Sequence, residues 1–121
     1  MLVLATKSFM RFARNFGSST QALWDAVHNT PDADLGRNVF KFRLAREGQG
    51  KSGGARVIVA MKHGQRIVLM YGFEKKDQEN IRKDELKAFQ VSAGIYLQLP
   101  EDQIQSLIAR QTLIEIRPAK T

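Results

Sequence analysis

Between residues 40 and 73 the apolar residues either alternate or run unbroken, and this fixes the middle of the chain as β-structure. Phe40, Phe42 and Leu44 alternate with Lys41, Arg43 and Ala45, the pattern of a half-buried strand with a basic outer face. Arg56 to Met61 is apolar almost throughout, as expected of a central strand. Lys62 to Gln65 reads as a hairpin turn, and Arg66 to Phe73 returns with Ile67, Leu69, Tyr71 and Phe73 on one face. Three such strands in succession form an antiparallel meander, and the flanking segments must cover it.

Those flanks have the helical period. Phe9, Phe12, Ala13 and Phe16 recur at helix spacing, and Gly17 ends that helix. Ser18 with Gln21 offers a capping box for a second helix carrying Ala22, Leu23, Ala26 and Val27, stopped by Thr30-Pro31-Asp32. After a polar stretch, Asn80 is the expected cap of a helix lined by Leu86, Phe89, Ala93 and Leu97. Pro100 opens a short helix, and Thr112 to Arg117 alternates as a last strand. The expected order is ααβββααβ in a single domain over residues 1–121. Its class is α+β: a small twisted antiparallel sheet with an N-terminal helical hairpin packed on it, helices on one face.

Composition removes several function classes. The chain has no cysteine, which excludes disulfides and thiolate chemistry, and only His28 and His63 could supply imidazole, so a metal site is not expected. His28 is expected at the C-terminus of the second helix, and His63 in a solvated turn. No apolar run approaches the ~20 residues of a membrane helix. Met1 to Ala5 is too short for a signal-peptide core, so a cytoplasmic protein without a membrane partner is expected.

Charge is the strongest functional signal. The net charge is +7, and residues 37–66 account for all of it: Arg37, Lys41, Arg43, Arg46, Lys51, Arg56, Lys62 and Arg66 stand against Glu47 alone. A concentrated basic segment attracts polyanions by releasing their counterions. The loop Gly48-Gln49-Gly50-Lys51-Ser52-Gly53-Gly54 resembles a phosphate cradle, yet Ala45 stands where a P-loop needs glycine and a strand follows instead of a helix. Nucleoside triphosphate hydrolysis is therefore not expected.

Lys41 and Arg43, two apart on a strand, project from the same face, and Arg56 and Arg66 open the next two strands. Cations converging on one sheet face suit a phosphodiester. When a 2′-hydroxyl attacks its adjacent phosphate, the reaction needs a base, stabilisation of a dianionic transition state and an acid for the leaving oxygen. A lysine among other cations can act as the base, and arginines can hold the charge without metal. No Ser/His/Asp arrangement or paired-carboxylate signal is present, so any catalysis is cationic.

The stretch Phe40-Lys41-Phe42-Arg43-Leu44-Ala45-Arg46, followed by Gly50-Lys51-Ser52-Gly53-Gly54-Ala55-Arg56, resembles the RelE/ParE toxin superfamily of bacterial type II toxin–antitoxin systems. The closer likeness is to a RelE-like branch marked by a GKSGG-x-R signature, and Tyr71-Gly72-Phe73-Glu74-Lys75-Lys76 continues it. The resemblance implies a microbial-ribonuclease-like fold. It also implies a toxin that cleaves messenger RNA on the ribosome, needs no cofactor and is restrained by a cognate antitoxin. Lys41 and Arg43 match the lysine-x-lysine strand pair of ribonuclease members, with Lys41 as general base. Arg56 matches the arginine at the scissile phosphate, and Lys76 falls where those members place a second arginine. Arg37, Arg46, Lys51, Ser52, Arg66 and Lys75 are then expected along the RNA path. The tyrosine that some members stack on a base has no counterpart near Ile81 and Arg82, and Leu97 to Thr121 extends past the compact toxin core. Relatives of the same fold poison DNA gyrase or bind nucleic acid without cutting it, so both remain alternatives.

Overall fold

A computed structural model describes residues 1–46, 54–62 and 65–119. The elements in chain order are β1 (Leu2–Thr6), α1 (Lys7–Phe16), α2 (Thr20–Val27), β2 (Ala33–Asp34), β3 (Val39–Leu44), β4 (Ala55–Met61), β5 (Arg66–Glu74), α3 (Lys83–Gln98), α4 (Glu101–Ala109) and β6 (Leu113–Ile116). The class is α+β, with one six-stranded sheet in the order β2-β3-β4-β5-β1-β6. The meander of β3, β4 and β5 lies where the period-two pattern put it.

Two features of the sheet correct the sequence reading. The opening Met1–Ala5 run contributes a strand: β1 pairs parallel with β5 and antiparallel with β6, so the sheet is mixed rather than antiparallel throughout. Its three central residues, Val3, Leu4 and Ala5, are all fully buried, because both faces of the sheet are covered there. A strand buried on both faces has no alternation to betray it. The helices accordingly occupy both faces, not one. Val3, Ala5, Phe42, Val57, Val59, Ile67 and Leu69 pack with α1 and α2. Leu4, Val39, Ile58, Ala60, Val68 and Met70 pack with α3 and α4 on the other side.

Local signals explain the helix ends. Thr6 closes β1 and caps α1 at once, its hydroxyl accepting from the Phe9 N–H at 3.1 Å. Gly17, at φ 87°, takes the left-handed conformation that ends α1. Ser19, not Ser18, caps α2: its hydroxyl accepts from the Ala22 N–H, while the Gln21 amide donates to Asp25 instead of closing a capping box. Likewise α3 begins after Arg82 rather than Asn80, with the Glu85 carboxylate accepting from the Arg82 N–H at 2.8 Å. No helix among the described residues is long and apolar enough to cross a membrane.

A bulge in β5 has the largest consequence for the site. Val59 pairs with Leu69 and Ile58 with Tyr71, so Met70 is an extra residue between two consecutive partners. The insertion reverses the alternation beyond it. Ile67 and Leu69 face α1 and α2, whereas Tyr71 and Phe73 face α3. The expectation of all four on one face fails for this reason.

Candidate functional site

The registers of the meander place the candidate cations in two adjacent rows. Lys41 lies opposite Ile58, which lies opposite Tyr71; Arg43 lies opposite Arg56, which lies opposite Phe73. Strand alternation puts Lys41, Arg43 and Arg56 on the face shared with Val39, Ile58 and Ala60. Helix α3 seals the Val39–Ala60 end of that face through Ala93 and Leu97, and the Gln90 amide donates to the Leu35 carbonyl at 3.1 Å. Towards the other end Lys41 is half-buried and Arg43 exposed.

Among the described residues Arg56 is the one charged side chain in the core, 5% exposed. A buried cation requires a partner. Its Nε stands 3.4 Å from Asp32 Oδ2, and its Nη1 donates to the Ala55 carbonyl at 3.3 Å. The other carboxylate oxygen, Asp32 Oδ1, lies 3.4 Å from Arg43 Nε. One carboxylate therefore bridges two guanidinium groups that cross-strand pairing sets side by side. Asp32 reaches them because Ala33 pairs with Lys41 while the Asp32 N–H also donates to the Lys41 carbonyl, at 2.7 Å. Asp32 thus stands just before β2, within reach of both arginines. A cleft of about 630 Å³ opens beside them, bounded by Asp25, Asn29 and Thr30 at the end of α2 and by Leu44 of β3.

The remaining predicted residues divide. Lys75 and Lys76 follow β5 at the Arg56 end of the sheet, both exposed, with Lys76 Nζ 4.0 Å from Glu74. Arg46 is committed to structure: it pairs with Glu74, donates to the Phe16 carbonyl at 3.2 Å and lies 4.4 Å over the Phe16 ring. Arg66 is committed too, donating to the carbonyls of Tyr96 (2.8 Å) and Leu99 (2.7 Å) that end α3, and pairing with Glu101. It stands seven residues along β5 from Phe73, roughly 23 Å at strand spacing, so it does not converge with Arg56. Arg37, at φ 53° in the turn before β3, sits at that same far end. Lys51, Ser52, most of the glycine-rich loop and His63 lie outside the described residues. His28 is where the sequence put it, its Nδ1 2.6 Å from the Trp24 carbonyl at the end of α2.

Two residues of the site escape the sequence reading. Asp32 reads as a turn residue, and it falls outside the basic segment counted from residue 37. Tyr71 reads as core, yet the bulge turns it onto the cationic face. There it packs against Phe89 with ring centroids 5.3 Å apart and rings tilted by 33°, and donates its hydroxyl to Gln78 at 2.9 Å. Burial, with Glu85 nearby, raises the Tyr71 pKa above that of a free tyrosine, and Arg82 opposes this only in part. The phenol thus stays protonated and can donate. Among the described residues, no group of His, Cys, Asp or Glu is arranged to hold a metal ion.

The arrangement sets two guanidinium groups bridged by one carboxylate beside the cleft, with an amine one row away and two further lysines at the rim. A family model described as the RelE toxin of the RelE/RelB toxin–antitoxin system matches residues 1–116, so α4 and β6 lie within the matched domain instead of extending beyond it. The chain matches no curated protein.

Proposed function

From the chain's membership of the RelE toxin family, toxins restrained by an antitoxin partner, we propose that it is an endoribonuclease that cleaves messenger RNA on the ribosome. The observation that carries this is the Arg43–Asp32–Arg56 cluster beside Lys41 on one open sheet face. Arg43 and Arg56 hold the non-bridging oxygens of the scissile phosphate. The Lys41 amine takes the proton of the 2′-hydroxyl as it attacks phosphorus, and becomes a cation as the phosphorane becomes a dianion. Lys76, 71% exposed, lies at the rim as the partner of the leaving 5′-oxygen. The chain belongs, on this reading, to the branch with the GKSGG-x-R signature and works in the cytoplasm. Its antitoxin offers an acidic segment to the basic face, so the complex weakens as salt rises.

The test is inducible expression of the chain beside Lys41→Ala and Arg56→Ala, with primer-extension mapping of a reporter transcript. Growth arrest with cuts inside translated codons, lost in both variants, is the expected result. Arrest without cuts overturns the proposal and directs attention to gyrase, for which a supercoiling assay serves. Harmless expression overturns it in favour of a binding-only relative.

A further inference from the structure

We propose that Asp32 is a positioning residue of the phosphodiester site: it holds Arg56 and Arg43 side by side and, by offsetting one of their two charges, keeps the site from gripping RNA too tightly. This rests on the ribonuclease reading above, although the juxtaposed charges do not depend on it. Arg43 and Arg56 are directly opposed on neighbouring antiparallel strands, where like charges repel. Arg56 is buried, and among the described residues it meets Asp32 and the Ala55 carbonyl. Asp32 gives one oxygen to each guanidinium at 3.4 Å, so it resolves the repulsion and fixes both groups.

The carboxylate is itself a monoanion with two oxygens spanning two cations, as a phosphodiester is. It occupies the Nε sides, and the Arg43 side chain is still 56% exposed, so its Nη groups are left for a ligand. Two guanidiniums and one carboxylate leave a single positive charge, which matches one phosphodiester. The second negative charge, which develops only in the transition state, meets the newly protonated Lys41. Asp32 thereby weakens the hold on substrate and product, and it serves turnover by fixing both guanidinium groups where the transition-state charge develops.

The experiment compares the whole chain with Asp32→Asn and Asp32→Glu. Fluorescence anisotropy follows binding of a short single-stranded RNA across a salt series, and cleavage of transcript on programmed ribosomes yields kcat and KM separately. Asp32→Asn is expected to bind RNA about five-fold tighter at low salt, with a log–log salt slope steeper by about 0.7. Its kcat should fall roughly ten-fold or more. Asp32→Glu keeps the charge, so it keeps the wild-type salt slope and regains part of kcat. A purely structural Asp32 gives the opposite pattern for the amide, with binding and turnover falling together, and that overturns the proposal. So does an amide variant with unchanged binding. If Asp32→Asn does not fold, the Asp32→Glu salt slope decides: the wild-type value supports the proposal and any other overturns it. If the wild-type chain cuts no transcript, the ribonuclease reading fails and the anisotropy series alone decides the role of Asp32.

Discussion

Adding one methyl group at Gly72 tests the packing that turns Tyr71 towards the site. Gly72 pairs with Val57 just past the β5 bulge, on the face covered by α1. A Cβ built there runs into the Phe12 ring and comes within 3.1 Å of Phe9 Cε1. Phe12 cannot simply swing aside, because it is stacked on Phe16 at 5.8 Å with the rings 11° from parallel. Displacing it forfeits about 1 kcal/mol of stacking, and overpacking of this kind costs about 1–3 kcal/mol in all. Replacing glycine in a strand returns about 0.5–1 kcal/mol through the unfolded state. Gly72→Ala should therefore lose about 1–2 kcal/mol, a fall in Tm of about 4–8 °C for a chain of this size. Thermal unfolding followed by circular dichroism measures it. Phe12→Leu makes room, so the double variant should lose at least about 1 kcal/mol less than the sum of the singles. A Gly72→Ala protein that melts at or above the wild-type temperature, with additive doubles, would refute the close approach of α1 to β5.

Further outcomes follow from the division of the cations. Arg46→Ala removes contacts to Glu74, the Phe16 carbonyl and the Phe16 ring and should cost about 1–2 kcal/mol in denaturant unfolding. Arg66→Gln should likewise destabilise, by about 1–2 kcal/mol, through the uncapped end of α3. Its RNA affinity at permissive temperature should match wild type, whereas Arg43→Gln loses affinity and about 0.7 of the salt slope with little change in Tm. Because the folded Tyr71 holds its proton more tightly than an unfolded tyrosine, its contribution to stability is complete below the ordinary tyrosine pKa. It is lost as pH rises through the folded value. A spectrophotometric titration should show a phenol ionising above the free-tyrosine range, absent in Tyr71→Phe.

How much the sequence disclosed depended on whether a feature was local. The Phe9–Phe16 helix, the three strands of the meander and the Leu86–Leu97 helix each show their own period, and each formed. β1 has no period to show, since Val3, Leu4 and Ala5 are buried on both faces by elements far along the chain. The Met70 bulge is invisible because an alternating run reads the same with or without an insertion, yet it decides that Tyr71 lies on the sheet face of Lys41 and not on that of Phe9. For the site, two-residue spacing on β3 sufficed to place Lys41 with Arg43, and the meander placed Arg56 across from them. Charge counting could not separate Arg43 and Arg56 from Arg46 and Arg66. All four lie in one basic segment and all four meet carboxylates or carbonyls in the folded chain, but Arg43 and Arg56 share one carboxylate across paired strands, whereas Arg46 lies against Phe16 and Arg66 against the end of α3. Asp32 is brought to the arginines by the short pairing of β2 with β3, which no pattern before β3 announces.

The position of β1 also sets an order in time. β3, β4 and β5 are consecutive, so they can pair as soon as residues up to 74 have been made. β1 joins β5 across more than sixty residues, and its other edge stays open until β6, at 113–116, arrives to cover it. Local pairings form early, and those that close long loops form late. During synthesis the strands bearing Lys41, Arg43 and Arg56 are therefore assembled first, while the strand made before them waits with an unpaired edge. The last strand to emerge is the one that seals the first.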